Sequence, residues 1–240
     1  MKAMIFAAGL GTRLRPLTDH KPKALVEVGG EPLLGLALRN LARYGVTEAV
    51  VNVHHFADQV EDYLSSVQTP LRIHISNERQ QLLDTGGGLK KARPWLQDAP
   101  FIACNVDVLS GLDIRAFYQA HLDSGAMATL AVRSRETSRY LQFDEGMQLT
   151  GWRNAKTGAH RACRPTAVAR DFAFSGIHCI SPELFGFMPE TAVFSIIDVY
   201  LEAARSQRVL GYPHDDTPWM DVGKHHALGP AAELAARLFV

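Results

Sequence analysis

The sequence predicts an α/β fold: a Rossmann-like mixed, mainly parallel sheet flanked by helices. Three observations carry this. Short continuous apolar runs, such as Met4-Ile5-Phe6 and Phe101-Ile102-Ala103, read as strands buried on both faces. These runs alternate with segments of helical apolar spacing, which implies right-handed strand–helix–strand crossovers. The first run then breaks at a glycine loop instead of a hairpin turn, as expected at the carboxyl edge of a parallel sheet.

The bulk numbers agree with one globular unit over residues 1–240. A 47% hydrophobic and 21% charged composition is ordinary for such a chain. Its formal net charge of zero offers no basic excess for nucleic acid. The apolar runs are too short to span a bilayer, and one lysine followed by a glycine loop is not a signal peptide, so a cytoplasmic location and no membrane partner are expected. Cys104, Cys163 and Cys179 lack metal-ligand spacing and read as reduced, mostly buried thiols. Nothing in the sequence decides between a monomer and a homo-oligomer.

Taken in order, the chain opens with Met4-Ile5-Phe6-Ala7-Ala8-Gly9-Leu10-Gly11-Thr12-Arg13-Leu14-Arg15-Pro16-Leu17-Thr18 and continues through Lys21-Pro22-Lys23. A strand feeding a glycine loop delivers backbone N–H groups to an anion. Glycine lets the backbone approach a phosphate closely, arginine binds its oxygens bidentately and lysine adds a point charge. The run lacks the Gly-Lys-Ser/Thr of a Walker A loop and the third glycine of a dinucleotide fingerprint, so a nicotinamide dehydrogenase is disfavoured. A nucleoside triphosphate site in the first 25 residues is the reading that remains.

Leu33 to Tyr44 reads as an amphipathic helix ending near Gly45, Glu48 to Val53 as a strand, Asp58 to Ser65 as a helix and Leu71 to Ile75 as a strand. Adjacent histidines, His54-His55 and His225-His226, read as surface residues. Thr85-Gly86-Gly87-Gly88 opens a helix, where three glycines are costly unless something approaches the backbone. Phe101 to Leu109 is an apolar strand leading to Asn105 and Asp107. Further on, helices are expected over 114–124, 182–187, 196–207 and 230–238, and strands over 128–132, 140–143, 149–152, 174–178 and 209–212.

The opening run resembles the signature of the sugar-1-phosphate nucleotidyltransferases: Ala-Ala-Gly-x-Gly-Thr-Arg-Leu-x-Pro-Leu-Thr, a gap, then Lys-Pro-Lys/Leu. The resemblance continues through Asn105-Val106-Asp107, Phe174-Ser175-Gly176-Ile177 and Trp219-Met220-Asp221-Val222-Gly223, over nearly the whole chain. It implies a nucleotide-binding part at about 1–110 and a sugar-binding part at about 111–240. The nucleotide would contact Ala8, Gly9, Leu10, Gly11, Thr12, Arg13 and Lys23. Gly86 and Gly87 would lie against the base or ribose, with Gln80 or Gln81 at the base edge. Asp107 and Asp221 would hold Mg2+, which favours oxygen ligands. Arg13, Lys23, Asp107 and Asp221 form the implied catalytic set.

For the sugar phosphate, Asn105, Tyr140, Ser175 and Gly176 are the implied contacts. The family's mid-chain Glu-Lys-Pro is missing. Lys156 is the candidate substitute, with Arg153 or Arg164 as alternatives. No hexapeptide-repeat region follows the Asp221 motif, so a minimal catalytic domain is expected. The implied partners are a nucleoside triphosphate and a sugar 1-phosphate. UTP with N-acetylmuramate 1-phosphate or a related amino sugar comes first, and GTP with a mannose or heptose 1-phosphate second. A non-catalytic nucleotide-sugar sensor is the reading from another class; the presence of Arg13, Lys23 and both aspartates weighs against it.

Overall fold

A computed structural model describes residues 1–239. Strand β1 (Lys2–Phe6) leads to the glycine loop, and a short hairpin, β2 (Glu27–Val28) and β3 (Glu31–Pro32), precedes helix α1 (Leu33–Arg43). Then follow β4 (Glu48–Val53), α2 (Ala57–Ser66), β5 (Arg72–Asn77), α3 (Asp84–Leu96), β6 (Phe101–Asn105) and β7 (Val108–Ser110). The second half holds α4 (Ile114–Ser124), β8 (Ala128–Arg133), β9 (Arg139–Phe143), β10 (Leu149–Asn154), β11 (His160–Ala162) and β12 (Arg170–Ile180). It closes with α5 (Ile196–Ala203), β13 (Val209–Pro213), β14 (Trp219–Asp221) and α6 (Leu228–Leu238).

The main sheet runs β11-β10-β9-β12-β6-β1-β4-β5, with β8 on β12 and β13 on β8. Strands β6, β1, β4 and β5 are mutually parallel, whereas β12 joins β6, β8 and β9 antiparallel. The sheet is therefore mixed, as expected. Alternation within β1 shows why it is buried on both faces. Ala3 and Ile5 pack into one core with α1 and α2, while Met4 and Phe6 pack into a second with α3 and α5.

Local chemistry sets the ends of several helices. Asp113 caps α4 by accepting from the amides of Arg115 and Ala116, and Gly125 closes it at φ 60. Ser195 accepts from the amide of Ile197 at the start of α5. Two expectations need correction. The stretch 182–187 is a 3₁₀ segment, and α5 stops at Ala203, short of Gln207. Strand β12 is longer than its apolar centre suggested, because Arg170 and Asp171 extend it along β9. Its register shifts between Phe174 and His178, where Gly176 takes φ +75. Cys104 and Cys179 are buried and Cys163 is half-buried, all as free thiols. Among the described residues no helix is long and apolar enough to cross a membrane.

Candidate active site

Because β1, β4 and β6 are parallel neighbours, their carboxyl ends lie side by side. The loop after Phe6, the turn after Asn105 and the end of β4 thus share one edge, the usual ligand edge of an open α/β sheet. The Val106 amide donates to the Phe6 carbonyl at 3.2 Å and ties the first two together. Asn52 ties in the third. Its Oδ1 accepts from the amides of Ala7 and Ala8 at 2.7 and 3.3 Å, and its Nδ2 donates to Glu78 Oε1 at 2.7 Å. Glu78 Oε2 accepts the Leu83 amide at 3.1 Å. This buried network anchors the start of the glycine loop to the 78–83 segment, and burial raises the carboxyl of Glu78 above its ordinary range.

The glycine loop is shaped for close approach. Nothing lies within 4 Å of a Cβ built on Gly9, so its backbone opens to the cleft. Gly11 adopts φ +65, and a Cβ there would meet Thr18 Cγ2 at 2.9 Å and Lys23 Cβ at 3.0 Å. Thr18 Oγ1 donates to the Gly11 carbonyl at 2.8 Å and holds the loop back on itself. Leu14 is its buried pin, while Leu10, Thr12 and Arg13 face outward.

Lys23 forms an ion pair with Asp107 Oδ2, the two side chains being 12% and 11% exposed. Asp221 arrives from the far end of the chain. β14 pairs antiparallel with β7 so that Asp221 lies opposite Val108, and the Val222 amide donates to the Asp107 carbonyl at 2.8 Å. Asp221 opens to the cleft surface, yet the surrounding walls remove water from its carboxylate. This desolvation, and then the charge of Asp107, raise its pKa; Lys23 and Arg13 oppose the rise. A Cβ on Gly223 would meet Arg13 Nη2 at 2.8 Å, so the guanidinium rests against that backbone beside Asp221. His225 Nε2 bonds the Arg15 carbonyl at 2.5 Å and fastens the same segment to the loop.

A cleft of about 530 Å³ covers this edge, lined among others by Ala8, Gly9, Arg13, Lys23, Asn52, Leu82, Thr85, Asn105, Asp107 and Val193. A second cavity of about 360 Å³ begins at Arg13 and Asp221. Among the described residues no group of three or more His, Cys, Asp or Glu side chains converges as a full metal cage. Two neighbouring carboxylates, one of them destabilised by the other's charge, suit a divalent cation that takes its remaining oxygens from substrate and water.

The structure separates several residues that the sequence grouped with the site. Gly86 and Gly87 are buried against the protein itself: a Cβ would lie 2.4 Å from Phe194 and 2.0 Å from the Ala192 carbonyl oxygen. The glycines admit the segment before α5, whose Phe194 carbonyl accepts the Gly86 amide at 2.9 Å. Gln80 and Gln81 are exposed and do not line the cleft; Leu82 and Thr85 do. Ser175 is buried with its hydroxyl bonded to His214 Nε2 at 2.7 Å. Gly176 makes room for Asn105, whose Nδ2 would sit 2.7 Å from a Cβ. Tyr140 accepts the Thr137 amide through its hydroxyl and stacks under Arg153. Lys156 is exposed in the turn joining β10 to β11, Arg153 is paired with Asp171, and Arg164 reaches toward Gln207.

Two residues at the site escaped the sequence reading. Asn52 hides inside an apolar strand, where a lone amide before the strand end is the one signal. Arg135 sits in the polar run Arg133-Ser134-Arg135-Glu136, which looks like a solvated turn, yet its guanidinium lies 4.5 Å from the centre of the Trp219 ring.

Fold and cleft together define a class: an α/β enzyme that handles phosphate esters at the carboxyl edge of its sheet. More narrowly, the chain belongs to the nucleotidyl transferase family, whose model matches residues 2–237. It is 35% identical over 241 aligned positions to an N-acetylmuramate alpha-1-phosphate uridylyltransferase of Caulobacter vibrioides, covering 98% of this chain and 94% of that one. It is 34% identical to the enzyme of the same name from Neisseria meningitidis serogroup B, over 98% of each chain. A crystal structure of a UDP-glucose pyrophosphorylase with UDP-glucose superposes with TM-score 0.81 at 16% identity, over 98% of each chain, which shows the shared fold.

Proposed function

We propose that the protein transfers a uridylyl group from UTP to the 1-phosphate of N-acetylmuramate or a related amino sugar, releasing pyrophosphate. The observation that carries this is the meeting of the glycine loop, Lys23, Asp107 and Asp221 at one sheet edge. The choice of UTP and of an N-acetylated amino sugar is supported by the names of the two bacterial relatives.

A sugar-phosphate oxygen attacks the α-phosphorus. The new P–O bond forms as the bond to the bridging oxygen of pyrophosphate breaks. The nucleophile is already anionic, so the chain supplies position and charge instead of a base. Gly9 to Arg13 offer backbone amides and the Arg13 guanidinium to the triphosphate. Lys23 leaves Asp107 to neutralise phosphate oxygens. Asp107 and Asp221 would hold Mg2+, which would lower the charge on the reacting phosphates. Leu82, Thr85 and Val193 border the space for the nucleoside, and Asn105 stands where the two substrates meet. The enzyme works in the cytoplasm, on freely dissolved substrates.

The test is pyrophosphate release, with product identified by mass, from a panel of four nucleoside triphosphates against several sugar 1-phosphates with Mg2+. UTP with N-acetylmuramate 1-phosphate should give the highest kcat/KM. Asp107→Ala and Asp221→Ala should each lose turnover and keep a native circular dichroism spectrum; near-normal rates in both would remove the metal assignment. Lys23→Ala should lower kcat strongly, and unchanged kinetics would contradict its role. No pyrophosphate from any pair would overturn the reading.

A further inference from the structure

The second cavity, of about 360 Å³, opens on the far side of Arg13 and is bounded by Arg13, Arg135, Trp219, Asp221, Lys224 and His226. Its walls set two arginines and a lysine against one carboxylate. That carboxylate is already engaged: Asp221 Oδ1 accepts the Gly223 amide at 2.7 Å, and the charge of Asp107 acts on it.

Arg135 distinguishes this cavity. Its guanidinium lies 4.5 Å from the centre of the Trp219 ring. The indole is itself fixed, since Trp219 Nε1 donates to the Ser175 carbonyl at 2.9 Å. Arg135 Nη2 donates to the Phe174 carbonyl at 3.2 Å and Nη1 to the Glu136 carbonyl at 3.4 Å. Of the several donors on a guanidinium, these contacts use only a part. Nε is buried without a partner, and no carboxylate lies within ion-pair distance of Arg135 among the described residues. A half-buried cation over an aromatic ring, with donors to spare and only the unpaired charge of Asp221 acting on it, is costly unless an anion completes it. Burial accordingly lowers its pKa.

Arg13 lines both cavities and Asp221 the second, so the reacting phosphates border this cavity on that side only. On the reading above they lie between Asp107 and Asp221, with Lys23 beside them. Neither Lys23 nor Asp107 lines the second cavity, and Arg135 does not line the first. Arg135 and Lys224, which line only the second cavity, are thus placed for an anionic group beyond the reacting phosphates. A volume of about 360 Å³ exceeds what a carboxylate alone needs and leaves room for a short chain that carries one.

The geometry points to a subsite for an acidic substituent of the acceptor: a carboxylate borne on the sugar ring, bound by the Arg135 guanidinium with Lys224 as a supplementary charge. A planar guanidinium matches a carboxylate through two parallel hydrogen bonds, which gives direction as well as attraction. The assignment rests on the nucleotidyl-transfer reading and adds to it the feature of the sugar that this chain selects.

Two acceptors isolate the acid: N-acetylmuramate 1-phosphate, and N-acetylglucosamine 1-phosphate, which lacks the lactyl ether and its carboxylate. Wild type, Arg135→Gln, Arg135→Lys and Lys224→Gln are compared at saturating UTP and Mg2+. In Arg135→Gln the ratio of kcat/KM for the acidic over the neutral acceptor should fall about tenfold or more, through KM. Arg135→Lys should recover part of it, because it keeps the charge and loses the fork. Lys224→Gln should lower the ratio a few-fold, less so in high salt. An equal loss with both acceptors would overturn the subsite, as would a loss confined to KM for pyrophosphate in the reverse reaction, or a wild type that favours the neutral sugar. Calorimetric binding of the two acceptors without UTP reads the same preference with no turnover. A preference for the acidic acceptor that disappears in Arg135→Gln supports the subsite even if no uridylyl product forms, and its absence from wild type removes the subsite even if product does form. Thermal melts accompany each variant, and a folded Arg135→Lys with no recovery also counts against the proposal.

Discussion

Asn52→Leu is the substitution whose cost can be worked from the coordinates. It removes the acceptor for the Ala7 and Ala8 amides and the donor to Glu78, all inside the protein. Leaving a buried donor unpaired costs about 1–3 kcal/mol, and losing a hydrogen bond to a charged group roughly 1.5–3 kcal/mol. The Ala8 contact is long at 3.3 Å and contributes least. The sum is about 4 kcal/mol, a large share of the roughly 5–15 kcal/mol that holds an ordinary domain. For a chain of this size that is a fall in Tm of roughly 10 °C. Urea unfolding at pH 7.5 gives the free energy, and KM for UTP should rise alongside, because Gly9 loses the anchor of the residues before it. Asn52→Asp keeps the acceptor but sets a second carboxylate against Glu78. Adding Glu78→Gln restores a donor across that contact and should recover much of the loss. A cost below about 1 kcal/mol for Asn52→Leu, or no recovery in the double variant, would refute the argument that this network carries the loop.

Three further outcomes follow from the same geometry. Gly87→Ala puts a Cβ 2.0 Å from the Ala192 carbonyl oxygen, so crowding of about 1–3 kcal/mol should outweigh the helix gain of at most ~1 kcal/mol; Val193 lines the nucleotide cleft, so KM for UTP should also rise, and a stabilised variant would contradict the packing. Gly11→Ala forces a side chain to φ +65 and crowds Lys23, so kcat should drop about tenfold at an approximate cost of 1–2 kcal/mol, and unchanged kinetics would sink the expectation. Burial lowers the pKa of His121 and His214 to about 4 and of His178 to about 3. The unfolded chain takes up protons near pH 6.5 that the folded chain refuses, so stability should be full above about pH 7 and fall steadily from 6.5 toward 4; a flat urea midpoint over that range would refute it.

The sequence made some elements legible and hid others for physical reasons. Helix α4 was readable to the residue, because an apolar face, a capping acid at Asp113 and a closing glycine at Gly125 agree. Strand β11 was not, since His160–Ala162 is exposed and pairs only at the sheet edge. Strands β7 and β14 are three residues each and owe their existence to one another, which no local pattern announces. At the candidate site, Arg13, Lys23, Asp107 and Asp221 were legible because they sit inside a long signature, and the structure brings them to one sheet edge. Asn52 and Arg135 were missed because their importance comes from neighbours far along the chain, Glu78 and Trp219. The glycines of α3 show the converse. Close approach was read correctly from their cost, but the approaching group is Phe194 and Ala192 of the protein itself.

The seam between the glycine loop and residues 221–225 has a consequence for how the molecule is made. Arg13 rests on Gly223, and His225 holds the Arg15 carbonyl, so the glycine loop is braced by a segment synthesised 210 residues later. Asp107 and Asp221 are separated by about half the chain. At usual elongation rates of roughly 5–20 residues per second, the growing polypeptide carries its glycine loop and one carboxylate for on the order of ten seconds before the second arrives. On the proposed function, chemical competence waits for Asp221, and a chain stalled before it carries the glycine loop and Asp107 without the second carboxylate.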